Sequence, residues 1–336
     1  MTAVDSTTGR KSIEWRRMLS RHGWTGGVWL LFAAIVIFYM TLIPSFGAFQ
    51  ITSLAKNSLP LVYLAVAQAI IVIAGGIDLG IGAVFIFGNA VAAQLMEGQP
   101  FATTILIAIG VVVVCAVLNG IVGWIISVSR VPDIVITLAT LFIISGFALL
   151  VLPSPGGGTS EGFRTIFTGS ATGSGSNFIP PLILLIVPVA IAAYVMRWTR
   201  TGLSLYATGS DATAAYLSAV NTKKAKIVSY TLGGAYAGLA GLAALAITGS
   251  GESRFLTAAN FTLRAVAAIV LGGIALTGGV GSIVGATAAG LVLFTLNPVL
   301  SAMGVDPNTA QVIQGALIVV VMMVAGIIQL RRERAE

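Results

Sequence analysis

The chain has 336 residues, of which 57% are hydrophobic and 9% charged, and its mean hydropathy is +1.00. A soluble domain carries roughly 25% charged residues, so this composition excludes an ordinary soluble fold. The net charge of +7 gathers in clusters beside apolar runs. That is the pattern of loops flanking membrane spans on the cytoplasmic side, and it argues against a nucleic-acid partner.

Residues 1–23 are polar and basic, with Arg10, Lys11, Arg16, Arg17 and Arg21, and read as a cytoplasmic N-terminal segment. The apolar run 24–43 is longer than a signal-peptide core and reads as an uncleaved first span. Further spans are predicted near 58–74, 81–96, 102–125, 133–152, 178–196, 226–248, 262–276, 282–301 and 310–329. Most approach the length of about 20 residues that a helix needs to cross a bilayer. No stretch shows the alternation of a β-barrel strand. The expected fold is therefore all-α and polytopic, a membrane domain over 24–330 with about ten transmembrane helices. Because 81–96 and 262–276 are short, eight or nine crossings plus a re-entrant piece stays open.

With ten spans both termini lie in the cytoplasm, the tail 331–336 included. Every Lys and Arg except Lys56, Arg164, Arg254 and Arg264 then falls on the cytoplasmic side. The loop 153–177 is rich in Gly, Ser, Thr and Pro and reads as a flexible extracytoplasmic connector, with a binding lid as the second reading. The loop 197–226 is cytoplasmic. Within it "SDATAAYLSAV" (210–220) predicts one short helix, capped by Ser210 or Asp211, with lysines near its C-terminal end. A helix of this kind outside the membrane is a docking surface for something soluble.

Residues 75–92, "GGIDLGIGAVFIFGNAVA", align without gaps on 272–289, "GGIALTGGVGSIVGATAA". Gly75, Gly76, Ile77, Leu79, Gly82, Ile86, Gly88 and Ala92 recur, so the chain reads as containing an internal repeat. Transporters often place their pathway at the interface of such repeats. Asp78 is the acid inside the first copy, and Ala275 replaces it in the second. Three readings of Asp78 compete. It caps the next helix near Gly80 and Gly82 at the hydrated cytoplasmic boundary, which is preferred. It lines or gates the pathway, or it binds a coupling ion. Asn89, Asn119 and Asn297 are the other intramembrane amides. Helix–helix bonding is their commoner use, and contact with a sugar hydroxyl is the alternative. Phe85 and Phe87 divide in the same way between core packing and stacking on a sugar.

The spans hold no histidine and almost no acids, so they offer little from which to build a catalytic centre. His22 and Cys115 are single, which leaves no metal cluster and no intrachain disulfide, and no cofactor is implied. There is no GxxxxGK[ST] loop, so any ATP that drives this protein binds another chain.

"GGIDLGIGAV" resembles the Gly-Gly-Ile-Asp-Leu-Ser-small-Gly signature of ribose-type ABC importer permeases. "SRVPDIVITLATLFIISG" (129–146), "GSDATAAYLSAVNTKKAKIVSYTLGGAYAGLAGL" (209–242) and "LRAVAAIVLGGIALTGGVGSIVGA" (263–286) resemble further segments of that family, in its order. The resemblance spans roughly 50–330. It implies that 197–226 carries the helix that sits on an ATPase subunit, with Gly209, Ala214, Ala215 and Ser218 on the family pattern. Asp211 stands where Asn is frequent, and Ala219 and Val220 where Gly-Ile is usual. The implied partners are two ABC ATPase subunits or one tandem ATPase, an extracytoplasmic solute-binding protein, and a second permease copy or paralogue among membrane lipids. The implied solute is a monosaccharide or similar small polar compound. The alternative is a self-sufficient secondary transporter or channel. A bulky charge at Ala214 or Ala215 is expected to uncouple transport and leave the fold intact.

Overall fold

The computed structural model describes residues 7–129, 131–169, 179–306, 308–316, 319, 320 and 323, with the backbone alone over 7–22. Residues 1–6, Arg130, 170–178, most of the predicted tenth span beyond 316 and the tail 331–336 lie outside the described residues. The described chain is all α. In order it forms α1 (Thr7–Leu42), α2 (Ala48–Ile73), α3 (Ile81–Met96), α4 (Phe101–Ser129), α5 (Asp133–Val151) and α6 (Glu161–Thr168). It continues with α7 (Ile179–Trp198), α8 (Arg200–Ser210), α9 (Ala212–Leu217), α10 (Thr222–Thr248), α11 (Phe255–Leu271) and α12 (Ile283–Ala302). Residues 308–316 are helical as well.

Among the described residues, 7 helices are long and apolar enough to cross a membrane: α1 from Gly23, α2, α4, α5, α7, α10 and α12. α3 and α11 are apolar but shorter, at 16 and 17 residues. Each predicted span up to 301 falls on one helix.

Three boundaries differ from expectation. Helix α2 begins at Ala48 rather than at 58, because its polar first turns are satisfied internally. Gln50 Oε1 accepts the Gly47 N–H at 2.9 Å, and Asn57 Nδ2 donates to Ser53 Oγ at 3.0 Å. Helix α11 covers Phe255–Leu271 instead of 262–276. The described part of the loop 153–177 is not a bare connector. It carries α6, capped by Ser160, whose Phe163 and Phe167 are buried, and it joins the loop after α10 through a Gly156–Gly251 bridge.

The internal repeat is a pair of hairpins, α2–α3 and α11–α12. Both first helices end in the same way. Gly75 and Gly76 donate to Val72 O and Ile71 O, and Gly273 and Ile274 donate to Val270 O and Ile269 O. Gly75 and Gly273 sit at φ +73° and +82°, the left-handed position this helix end requires. The equivalent residues are thus 75 and 273, one place off the ungapped alignment. The second turn, 272–282, is also longer than the first, 74–80, so the register slips further before α12 begins.

Helix α2 is buried on every side from Ser58 to Ile73, as a helix apolar all round should be. It packs against α10, α11 and α12. Helix α10 fits closely against α3 and α4 along Gly234, Gly238 and Gly241, small residues that let apolar helices approach where no hydrophobic drive exists between them. Leu106, Ile109, Val113 and Val117 of α4 point outward and are exposed, the face a hydrocarbon environment covers.

Candidate functional site

The segment 197–226 contains two helices where the sequence predicts one over 210–220. Thr199 Oγ1 accepts the Gly202 N–H at 3.2 Å and opens α8. Asp211 separates α8 from α9, its Oδ1 accepting the N–H groups of Thr213 and Ala214 at 2.8 and 2.9 Å. Ser210, the other expected cap, instead donates to Tyr206 O. Lys223 and Lys224, expected near the C-terminal dipole of the helix, lie in the first turn of α10, where Asn221 Oδ1 accepts the Lys224 N–H at 2.9 Å.

Helix α9 ends with Ala219 at φ +62° and with Val220 N–H on Ala215 O at 3.0 Å. Glycine is the residue that occupies such a position without strain. This gives a physical reason for glycine being usual there in the family the sequence resembles. Asp211, Ala214 and Ser218 are exposed, together with Tyr216 and Leu217. Ala215 is buried, so the expectation that a charge there spares the fold is corrected: only Ala214 can take one.

Gly209 closes α8 against both hairpin turns. A Cβ at this position would lie 1.9 Å from Ile73 O, 2.7 Å from Gly279 N and 3.0 Å from Gly75 N. Gly279 N–H donates to the same Ile73 O at 2.9 Å, and the Tyr206 hydroxyl donates to Gly281 O at 2.9 Å. Every partner at Gly209 is backbone. At Gly209 itself, therefore, no flexible side chain separates α8 from the two turns.

A polar cluster lies beside this junction, buried at Asp78, Asn119 and Tyr230 and half-buried at Lys226 and Asp133. Asp78 has no exposed surface. Its Oδ1 accepts the Gly80 N–H at 2.7 Å and its Oδ2 accepts Asn119 Nδ2 at 3.0 Å. The expected capping role is corrected in two respects. Gly82 N–H goes to Thr262 Oγ1 at 3.0 Å instead, and the carboxylate is wholly enclosed by protein. Asn119 Nδ2 also donates to Tyr230 O at 3.1 Å. The Tyr230 hydroxyl donates to Ile77 O at 3.2 Å and lies 3.4 Å from Asp133 Oδ2. Lys226 Nζ meets Asp133 Oδ2 at 2.5 Å and Gly75 O at 3.1 Å. Lys226, Tyr230 and Asp133 were not singled out from the sequence. The available signal was the i, i+4 spacing of Lys226 and Tyr230, which puts both on one helix face.

Of the four candidate pathway residues, Asp78 and Asn119 thus come together, while Asn89 and Asn297 lie elsewhere. Asn297 accepts a hydrogen bond from Gln314 Nε2, and Gln314 Oε1 accepts Arg264 Nη2 at 2.7 Å. Asn89 lines a cavity of about 540 Å³ at the end of α10 remote from α9. Helices α2 and α3 contribute Ser53, Asn57, Phe85 and Asn89 to its wall. Tyr39 of α1 lines it too, with Thr248, Glu252, Thr257, Phe261 and Phe294 among the residues from α10 to α12. Asn89 Nδ2 donates to Gly241 O at 2.9 Å and its Oδ1 accepts the Glu252 N–H at 2.7 Å, which pins the turn 249–254. Glu252 is forked by Arg254 at 2.5 and 2.9 Å, and that guanidinium holds its carboxyl below the usual carboxylate range. Phe85 packs on Phe261 with ring centroids 4.8 Å apart. Phe87 packs against the hydrophobic core and is not part of the wall.

Residues 50–322 match the family described as branched-chain amino acid transport system / permease component. The ribose import permease protein RbsC of Escherichia coli (strain K12) is 29% identical over 265 residues, 78% of this chain and 80% of that protein. The fructose import permease protein FrcC of Rhizobium meliloti is 27% identical over 287 residues, 83% and 78% of the two chains. The D-allose transport system permease protein AlsC of Escherichia coli (strain K12) is 28% identical over 299 residues, 87% and 89%. No solved structure matches significantly.

Proposed function

The chain belongs to the branched-chain amino acid transport system permease family, and from that premise we propose that it is the membrane-spanning permease subunit of an ATP-driven importer for a monosaccharide-like solute. The observation that carries the mechanism is the contact of Gly209 with both hairpin turns. The exposed Asp211, Ala214, Tyr216, Leu217 and Ser218 form the face on which an ABC ATPase docks, on the cytoplasmic side. When the ATPase moves, α9 carries α8 with it. Gly209 then displaces the turns 74–80 and 272–282 together, and each turn rotates its hairpin. The two hairpins pack on one another through α2, α11 and α12, so their rotation opens or closes the space between them.

The Lys226–Asp133 ion pair and the Asp78–Asn119 bond join α10, α5, the first turn and α4 into one body at this end. They resist opening until the ATPase acts. Asp78 is a positioning residue in this scheme. The working assembly contains two such permeases, homologous or identical, two ATPase domains and a solute-binding protein on the opposite face. Three relatives named for ribose, fructose and D-allose support a sugar as solute.

The test is reconstitution in liposomes with a solute gradient. The purified chain alone should give no flux above protein-free vesicles, and the assembled importer should give flux only with ATP. Robust flux through the chain alone would establish a secondary transporter or channel instead.

A further inference from the structure

The cavity between Asn57, Phe85 and Thr257 has a charge balance that bears on which solutes it accepts. Glu252 is the single residue of formal charge in its wall among the described residues, and Arg254 neutralises it through a two-pronged contact. An amino acid is zwitterionic and needs a cation and an anion that are free to receive it, since an unpaired charge out of water is costly. The wall supplies neither. It does supply unused neutral hydrogen-bonding groups: neither Asn57 Oδ1 nor the Thr257 hydroxyl has a partner among the described residues, Asn57 using only its Nδ2. The tilted pair Phe85–Phe261, with Phe294, gives the wall apolar surface to set against carbon–hydrogen faces. About 540 Å³ lies within the range of roughly 300–1,000 Å³ typical of small-molecule sites.

We propose that this cavity is a solute site held within a single permease chain, built for one uncharged polyhydroxylated molecule and roofed by the turn 249–254 that Asn89 pins. The proposal rests on the sugar-importer reading above and adds to it where the solute is held and why a zwitterion is refused. Asn57 and Thr257 bond the hydroxyls, while the phenylalanines carry the ring. Glu252 and Arg254 act on each other rather than on the solute. The roof joins α10 to α11, and the wall beneath it includes residues of both hairpins that Gly209 contacts at their far turns, so their rotation changes the cavity's shape.

The chain's own chemistry allows a direct test. Cys115 is its one cysteine and is fully buried, so a Leu54→Cys variant of the full chain in detergent presents one reactive thiol, in the cavity wall, to a maleimide. D-ribose, D-fructose, D-allose and L-leucine are the probes. At three times its Kd, a bound solute slows labelling about fourfold. At least one sugar should do so, and leucine should not. Adding Asn57→Ala should raise the sugar concentration needed by about fivefold. A Thr201→Cys variant on α8 should label at the same rate with and without sugar.

Protection by leucine, or none by any sugar up to about 100 mM, well beyond millimolar affinity, would overturn the proposal. Uptake by the assembled importer separates the two levels. Sugar uptake without protection removes this site and leaves the importer reading standing. Uptake of leucine in place of sugar removes the importer reading itself.

Discussion

Gly209→Ala isolates the junction from every other property of the loop. In a helix, Gly→Ala is normally favourable by about 1 kcal/mol. At this position the new methyl would sit 1.9 Å from Ile73 O and 2.7 Å from Gly279 N, inside the hydrogen bond that joins those two atoms. Overpacking costs about 1–3 kcal/mol, and a severed buried backbone bond leaves unsatisfied groups worth about another 1–3 kcal/mol. The clash therefore outweighs the helical gain by roughly 1–5 kcal/mol. Gly110→Ala is the matched control, because a Cβ there meets nothing within 4 Å. Thermal unfolding in detergent should show Gly110→Ala unchanged or slightly stabilised and Gly209→Ala destabilised. In the assembled importer, Gly209→Ala should lose at least about tenfold in ATP-driven uptake, the effect of about 1.4 kcal/mol on the coupled step. Equal unfolding temperatures for the two variants, with normal uptake, would refute the claim that α8 bears on both turns through backbone.

Ala219→Gly relieves the left-handed strain at the end of α9 and should stabilise the protein by about 1 kcal/mol, read as a raised unfolding midpoint. Ala214→Glu should leave the unfolding midpoint within about 0.5 kcal/mol of wild type, as at other exposed positions, while ATPase copurification falls sharply. Lys226→Met leaves Asp133 without its partner and should destabilise by about 1–3 kcal/mol, and Asp133→Asn in the same chain should recover part of the loss. Arg254 depresses the Glu252 pKa below its unfolded value, so the pair's contribution is complete above the ordinary carboxylate pKa. It is lost as pH falls through the lower folded value. Hydrogen exchange over 249–254 should therefore rise as pH falls from about 6 to 3, once corrected for intrinsic rates, and Arg254→Ala should move that rise to higher pH.

The features legible in the sequence are those fixed by neighbours along the chain. Apolar runs placed α1 to α5, α7 and α10 to α12 because burial in lipid depends on composition within each run, whereas α6 and α8 carry no such run. Asp211 was readable as a cap because the N–H groups it accepts lie two and three residues on. The start of α2 was not, since Ser53 and Asn57 look like loop residues until the helix lets them bond each other. The repeat was visible in its glycines, yet its register was wrong because the second turn is longer and an ungapped alignment has no place for that. Lys226, Asp133 and Tyr230 meet only when α5 and α10 pack, and Glu252 reaches the cavity only through Asn89, far away in sequence. Gly209 was picked out by family pattern alone. Its physical role needs three loops in contact, which no local reading supplies.

The central claim is that motion enters this protein at the surface of α9, from a separate ATPase on the cytoplasmic side. A Ser218→Cys variant in sealed right-side-out and inside-out vesicles tests it with a membrane-impermeant maleimide. The thiol should label from the cytoplasmic face alone when the chain is by itself, and should be shielded once the ATPase is bound. Labelling from the outer face, or an unchanged rate in the assembled importer, would contradict the account.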